Sequence, residues 1–127
     1  LKIIFCIGEN LKEKKKNSTF SVLKNQIKNG LKGIKKLDNV IIAYEPVWSI
    51  GTGFIPKNYE LKRNINNINK IINSLKKYNK MKIIYGGSVN PQNIKNLSKI
   101  QEIDGFIVGG ASLNPKKFID IIKKSIN

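Results

Sequence analysis

The sequence predicts an α/β chain of four successive strand–helix units with every strand parallel to the next. Three observations predict it. Four short apolar runs recur along the 127 residues: "LKIIFCIG" (1–8), "VIIAYEPVW" (40–48), "MKIIYGG" (81–87) and "DGFIVGG" (104–110). They are nearly continuous in isoleucine and valine, the pattern of strands covered on both faces of a parallel sheet rather than on one. Segments of helical periodicity lie between them, and a glycine-bearing loop follows each run.

The first run leads into "CIGEN" (6–10) and then into a stripe of Phe20, Leu23, Ile27, Leu31 and Ile34, which predicts a helix weakened by Gly30 and Gly33. The second run passes into "EPVWSIGTG" (45–53). Beyond it Leu61, Ile65, Ile68, Ile72 and Leu75 recur at i, i+4, i+7, i+11 and i+14, a better helical spacing. The third and fourth runs end in nearly the same words, "GGSVNP" (86–91) and "GGASLNP" (109–115). Asn is a favoured N-cap and Pro suits the first helical position, so Asn90-Pro91 and Asn114-Pro115 are each expected to open a helix.

All four glycine-bearing loops therefore fall at the carboxyl ends of strands, the side on which α/β barrels and open α/β sheets bind ligands. Glycine pairs let backbone N–H groups approach an anion, and a following helix N-terminus favours negative charge. The competing reading of one pair is a tight turn and nothing more. Two pairs in equivalent positions match the phosphate site that barrels build after their last two strands. Four units do not close an eight-stranded barrel, and as an open sheet they leave two unpaired edges. Either the half-barrel dimerises or a missing half lies upstream. Leu1 already stands inside an apolar run, without a start methionine or charged leader, as in a chain that begins in the middle of something.

The net charge is +16, the electrostatic footprint of many nucleic-acid binders. Yet Lys, Ile and Asn supply 63 of the 127 residues and a single arginine, Arg63, accompanies the lysines. Arginine is the better residue for bidentate phosphate and base contacts, so a biased composition filling solvent faces is preferred to a nucleic-acid site. One cysteine, Cys6, allows no intrachain disulfide and nothing in it points to secretion. No apolar run approaches the roughly 20 residues of a membrane span.

With no histidine, triads and most zinc sites are excluded within the chain, and no metal site is expected. Cys6, on a strand between apolar neighbours, is expected to be a buried, inert thiol. Carboxylates are few, and Glu45 is out of place among them, directly after "VIIAY" and before Pro46. A charge at the end of a buried strand is costly unless something interacts with it. Two readings follow: a structural carboxylate paired to a lysine, or a general base whose pKa rises as water is excluded. The next residues favour the base. Pro46, Val47 and Trp48 are stiff or bulky, Ile50 follows, and Gly51-Thr52-Gly53 is permissive, the make-up of a lid that swings over a base.

"AYEPVWSIGTG" (43–53), "IIYGGSV" (83–89), "DGFIVGGASL" (104–113) and "CIGE" (6–9) together resemble triosephosphate isomerase, in that family's order and at compatible spacing. The resemblance runs along residues 1–127 as one domain and covers the second half of the enzyme, strands five to eight. It implies half of a TIM (β/α)8 barrel, the N-terminal half being absent from the chain. It implies that Glu45 is the base that moves a proton between C1 and C2 of a triose phosphate, and that Pro46 to Gly53, with Ile50 and Thr52, form the lid. Gly51, Ser88, Gly109 and Gly110 match positions whose backbone N–H groups hold the substrate phosphate. Tyr85 and Ser88 match residues that latch the lid, and Glu9 a carboxylate that partners Trp48. The implied reaction interconverts dihydroxyacetone phosphate and glyceraldehyde 3-phosphate through an ene-diolate without a cofactor, in a cytoplasmic homodimer of glycolysis and gluconeogenesis, with no nucleic-acid or membrane partner.

Two departures stand out. The far hinge of the lid reads "FIPK" (54–57) where many relatives have a small-polar stretch. The family's lysine after strand one, its histidine after strand four and its dimer loop belong to the half not seen here, so Glu45 lacks an electrophilic partner within the chain and residues 1–127 are expected to be inactive alone. The reading from another class is a non-enzymatic phosphate-binding half-barrel.

Overall fold

The computed structural model describes residues 1–75 and 81–126. Its four strands are β1 (Ile3–Ile7), β2 (Val40–Tyr44), β3 (Ile83–Gly86) and β4 (Gly105–Ile107). They form one parallel sheet in the order β1-β2-β3-β4. Helices α1 (Leu11–Lys15), α2 (Thr19–Gly30), α3 (Asn58–Ser74), α4 (Ile94–Leu97) and α5 (Pro115–Ile126) occupy the connections. Four parallel strands alternating with helices are a partial (β/α) barrel, as the sequence led us to expect.

The register sorts the sheet into two faces. Ile42 lies beside Ile83 and Tyr44 beside Tyr85, and Phe5 beside Ile42. This face is the core: Ile42, Tyr44, Ile83 and Tyr85 are almost fully buried, under Leu23 and Ile27 of α2 and Leu61, Ile65, Ile68 and Ile72 of α3. Burying one such isoleucine contributes roughly 1.5–3 kcal/mol, so the α3 stripe is a principal source of stability. α2 comes so close to β1 that a Cβ on Gly30 would meet the Phe5 ring.

The other face corrects the expectation of strands covered on both sides. Ile4, Ile41, Cys6 and Ala43 share it by register; Ile4 and Cys6 on the edge strand β1 are exposed, whereas Ala43 on the inner strand β2 is buried. Among the described residues the apolar stripes of α2 and α3 join the core on the Ile42 and Tyr44 side, which leaves the start of β1 open. The exposed area reflects this. A compact chain of 14.4 kDa exposes about 6,800 Å², whereas this one exposes 8328 Å².

Helix boundaries refine two expectations. α2 ends at Gly30, so Leu31 caps it and Ile34 lies beyond; Leu31 is buried, while Phe20 and Ile34 are exposed. Asn114 does open α5, its Oδ1 accepting from the Lys117 N–H. Asn90 accepts from the N–H groups of Gln92 and Asn93 in the manner of an N-cap, but residues 91–93 form a turn and regular helix begins at Ile94. α1 was not foreseen. It is one short helix closed by a reciprocal Asn10–Glu13 capping box. No helix among the described residues is long and apolar enough to cross a membrane.

Candidate active site

The site lies where β1, β2 and β3 end. The Glu45 N–H donates to Ile7 O at 2.8 Å, extending the β1–β2 ladder by one residue and bringing the carboxylate to the mouth of the sheet. Two glycines make room for Glu45. A Cβ on Gly8 would fall 1.9 Å from the Glu45 carbonyl oxygen. A Cβ on Gly86 would fall 2.8 Å from Glu45 Cγ, 2.9 Å from Cδ and 3.0 Å from Oε2. The first glycine lets the backbone in and the second receives the carboxyl group. Gly8 is pinned in turn by Gln26 of α2, whose amide accepts from its N–H at 2.9 Å and donates to its carbonyl at 3.0 Å.

Cys6 shares the Glu45 side of the sheet and is exposed, which overturns its expected burial. Its register places it on the uncovered face, where the apolar neighbours of its own strand offer no shelter. The thiol is nevertheless held up at about 11, first by partial desolvation and then by its hydrogen bond to, and the charge of, Glu45. A protonated thiol is a poor nucleophile, so the inertness expected of it rests on partial desolvation first and on the Glu45 carboxylate second.

The segment expected as the lid starts with a single 3-10 turn, Val47–Ser49. It is tied down at its near end. Glu9, 1% exposed, accepts from Trp48 Nε1 at 2.9 Å and from the Tyr44 hydroxyl at 3.1 Å, while the Val47 N–H donates to Glu9 O. Asn64 of α3 donates to the Tyr44 hydroxyl at 2.8 Å, completing a buried chain. Burial, followed by the Glu9 charge, raises the Tyr44 pKa far above its ordinary value, so the phenol stays a donor. Lys14 covers the other side of Trp48, 3.7 Å from the ring centroid, and pairs with Glu60 at 3.4 Å. The partnership of Glu9 with Trp48 is thus present in geometry. Tyr44 and Asn64 were missed because an apolar run and a helix stripe gave no sign of a shared carboxylate.

At its far end the segment docks on the loop after β3. The Gly53 N–H donates to Ser88 Oγ at 2.9 Å, and Ser88 Oγ donates to Ser49 O at 2.6 Å. Gly51 and Gly53 have φ of 69° and 81°, a left-handed conformation that glycine adopts without steric cost. Thr52 Oγ1 bonds back to Trp48 O, and Val47 and Ile50 face solvent while Pro46 is buried. Ser88 itself sits at φ 47°, rare for a residue with a side chain, and is held there by the Asn90 and Asn93 amides donating to its carbonyl. Tyr85 lies beneath, its hydroxyl 3.1 Å from Gly87 O and 3.3 Å from Ser49 Oγ, and burial raises its pKa to about 12. Gly109 and Gly110, by contrast, are exposed and a Cβ on either would meet nothing within 4 Å. Ser49 was also passed over. It stood in the quoted loop, but its burial depends on Tyr85 and Phe54, which sequence spacing does not bring to it.

A parallel sheet of four βα units with a carboxylate at a strand end, a docked loop beside it and glycine-bearing loops at the strand ends defines half of a (β/α) barrel. Comparison with known proteins narrows the class. The family model described as triosephosphate isomerase matches residues 1–125. Curated relatives named triosephosphate isomerase include one from Thermodesulfovibrio yellowstonii, 44% identical, with 97% of this chain and 51% of the relative covered. Another, from Dictyoglomus turgidum, is 46% identical over 94% of this chain and 50% of its own length. A third, from Geotalea uraniireducens, is 45% identical over 98% of this chain. The chain belongs to the triosephosphate isomerase family. It spans about half the length of the curated relatives it matches.

Proposed function

We propose that the chain is the base-bearing half of a triosephosphate isomerase, and that the complete protein interconverts dihydroxyacetone phosphate and glyceraldehyde 3-phosphate. The observation that carries this reading is the Glu45 carboxyl group, seated against the side-chain-free Gly86 and flanked by a loop docked on Ser88. In this reading Glu45 takes a proton from C1 of the ketose as the C2 carbonyl oxygen gains charge, then returns it to C2 of the ene-diolate while the C1 hydroxyl proton passes to the C2 oxygen and C1 becomes the aldehyde. Its carboxylate needs no cofactor for either transfer. The open space beside Gly109 and Gly110 suits a phosphate, which the Gly51 and Ser88 backbones would approach from the lid side. Excluding water there restrains loss of phosphate from the ene-diolate. The other half supplies the lysine and histidine that polarise the carbonyl and covers the exposed face of Ile4 and Cys6. The resemblance also carries the homodimeric, cytoplasmic character of the complete protein.

The test is coupled detection of glyceraldehyde 3-phosphate with the complete protein, alongside a Glu45→Gln variant to expose host contamination. Phosphate-ligand binding without turnover would establish the non-enzymatic half-barrel instead. Two variants probe the parts separately. Gly86→Ala should lower kcat by about ten- to a hundredfold, because its Cβ must displace the carboxylate by a sizeable fraction of an ångström. Wild-type turnover in that variant would mean that the carboxylate works from another position. Gly110→Val should weaken binding of phosphate-bearing inhibitors by about tenfold, the effect of losing one charge-assisted hydrogen bond. Its site is exposed, so the melting temperature should move little. A collapse of stability with unchanged affinity would make the glycine pair a turn and nothing more.

A further inference from the structure

Ser49 is fully buried in a loop whose next five residues are exposed, and its hydroxyl meets two groups that a simple turn would not bring together. Ser49 Oγ donates to Phe54 O, the far hinge of the loop, at 2.5 Å. It also lies 3.3 Å from the Tyr85 hydroxyl, which lies 3.1 Å from Gly87 O. Two hydroxyls own two protons for these three contacts. The short contact commits the Ser49 proton to Phe54 O, so the Tyr85 proton is shared between Ser49 Oγ and Gly87 O. Gly87 leaves the space for the pair: at φ 146°, its Cβ would fall 2.8 Å from both oxygens.

We infer that Ser49 is a positioning residue, a pin that joins the far hinge of the lid to the floor of the site through Tyr85 and thereby holds the lid docked. Ser88 reinforces it from the other side, since the carbonyl that Ser88 Oγ donates to is that of Ser49. The pin turns the 46–54 loop from a strap fastened at its ends into one cross-braced at its middle. The inference rests on the reading of this loop as a lid over Glu45.

Ser49→Ala in the complete protein tests it. Amide hydrogen exchange at Gly53, whose N–H is donated to Ser88, should quicken by about three- to tenfold, the loss of one neutral hydrogen bond, while exchange at Ile42 and Tyr44 of β2 stays unchanged. With substrate, inorganic phosphate released per isomerisation should rise and affinity for 2-phosphoglycolate fall by a similar factor. In a Tyr85→Phe background the same substitution should have a smaller effect, because the two hydroxyls act as one unit. Unchanged Gly53 exchange, or an unchanged ratio of phosphate release to isomerisation, overturns the pin. An inactive wild-type protein whose Gly53 exchange still responds to Ser49→Ala keeps the pin and removes the isomerase reading instead.

Discussion

Expressed alone, residues 1–127 should show no isomerase activity above a Glu45→Gln control and should bind phosphate ligands poorly. The face that carries Ile4 and Cys6 is open, and the chain exposes roughly 1,500 Å² more than a compact protein of its mass, comparable to the area a specific interface buries. Water therefore reaches the Glu45 carboxylate from the side that a closed barrel would seal. Losing a single donor to a developing oxyanion typically costs about 10²–10³ in rate. Here both polarising groups would be missing at once. Apolar area and the free edges of β1 and β4 favour self-association, which a charge of +16 opposes at low salt, so aggregation should grow as salt is raised. The check is coupled assay and light scattering of the purified chain. Activity at ordinary enzyme rates that vanishes in Glu45→Gln would show the half-barrel to be self-sufficient.

Glu45→Asp in the complete protein should keep the fold and lower kcat on the order of a hundredfold, with a smaller change in KM. The substitution draws the carboxyl group back by about one methylene, and a misplacement near 1 Å costs about that much in an oriented proton transfer. The fold should survive, because the backbone of residue 45 is held by its own N–H bonded to Ile7 O and by the close approach of Gly8, neither of which involves the side chain. Retention of Gly86 leaves a gap where the longer side chain lay, so the shorter carboxylate has nothing to press it forward. Steady-state kinetics with a thermal melt decide it: turnover within a few-fold of wild type removes Glu45 from the base role.

The helix stripes and loop ends were legible because they rest on local rules. Leu61, Ile65, Ile68 and Ile72 recur at the helical period and all four are buried, while Asn114-Pro115 caps a helix through one side-chain oxygen. Where a boundary was missed, a local competitor intervened. Gly30 and Gly33 ended α2 before Ile34, and Asn90 closed a turn before its helix could begin. Cys6 failed for another reason: continuous apolar character predicts burial of both faces, but which face is covered depends on elements packed from outside the strand.

By itself the sequence determined the parallel βα order, the buried stripe of α3, the strand-end position of Glu45 and the family, since each depends on spacing within a few tens of residues. Only the tertiary structure decided what surrounds these groups. Gly86 receives the carboxylate from the neighbouring strand, Tyr44 and Asn64 share Glu9 across the core, and Ser49 finds Phe54 and Tyr85. The physical reason is that hydrogen bonds and steric clearance act over about 3 Å in space. The partners here lie as much as 41 residues apart in the chain, as Glu45 and Gly86 do, and only the register of the sheet brings them together.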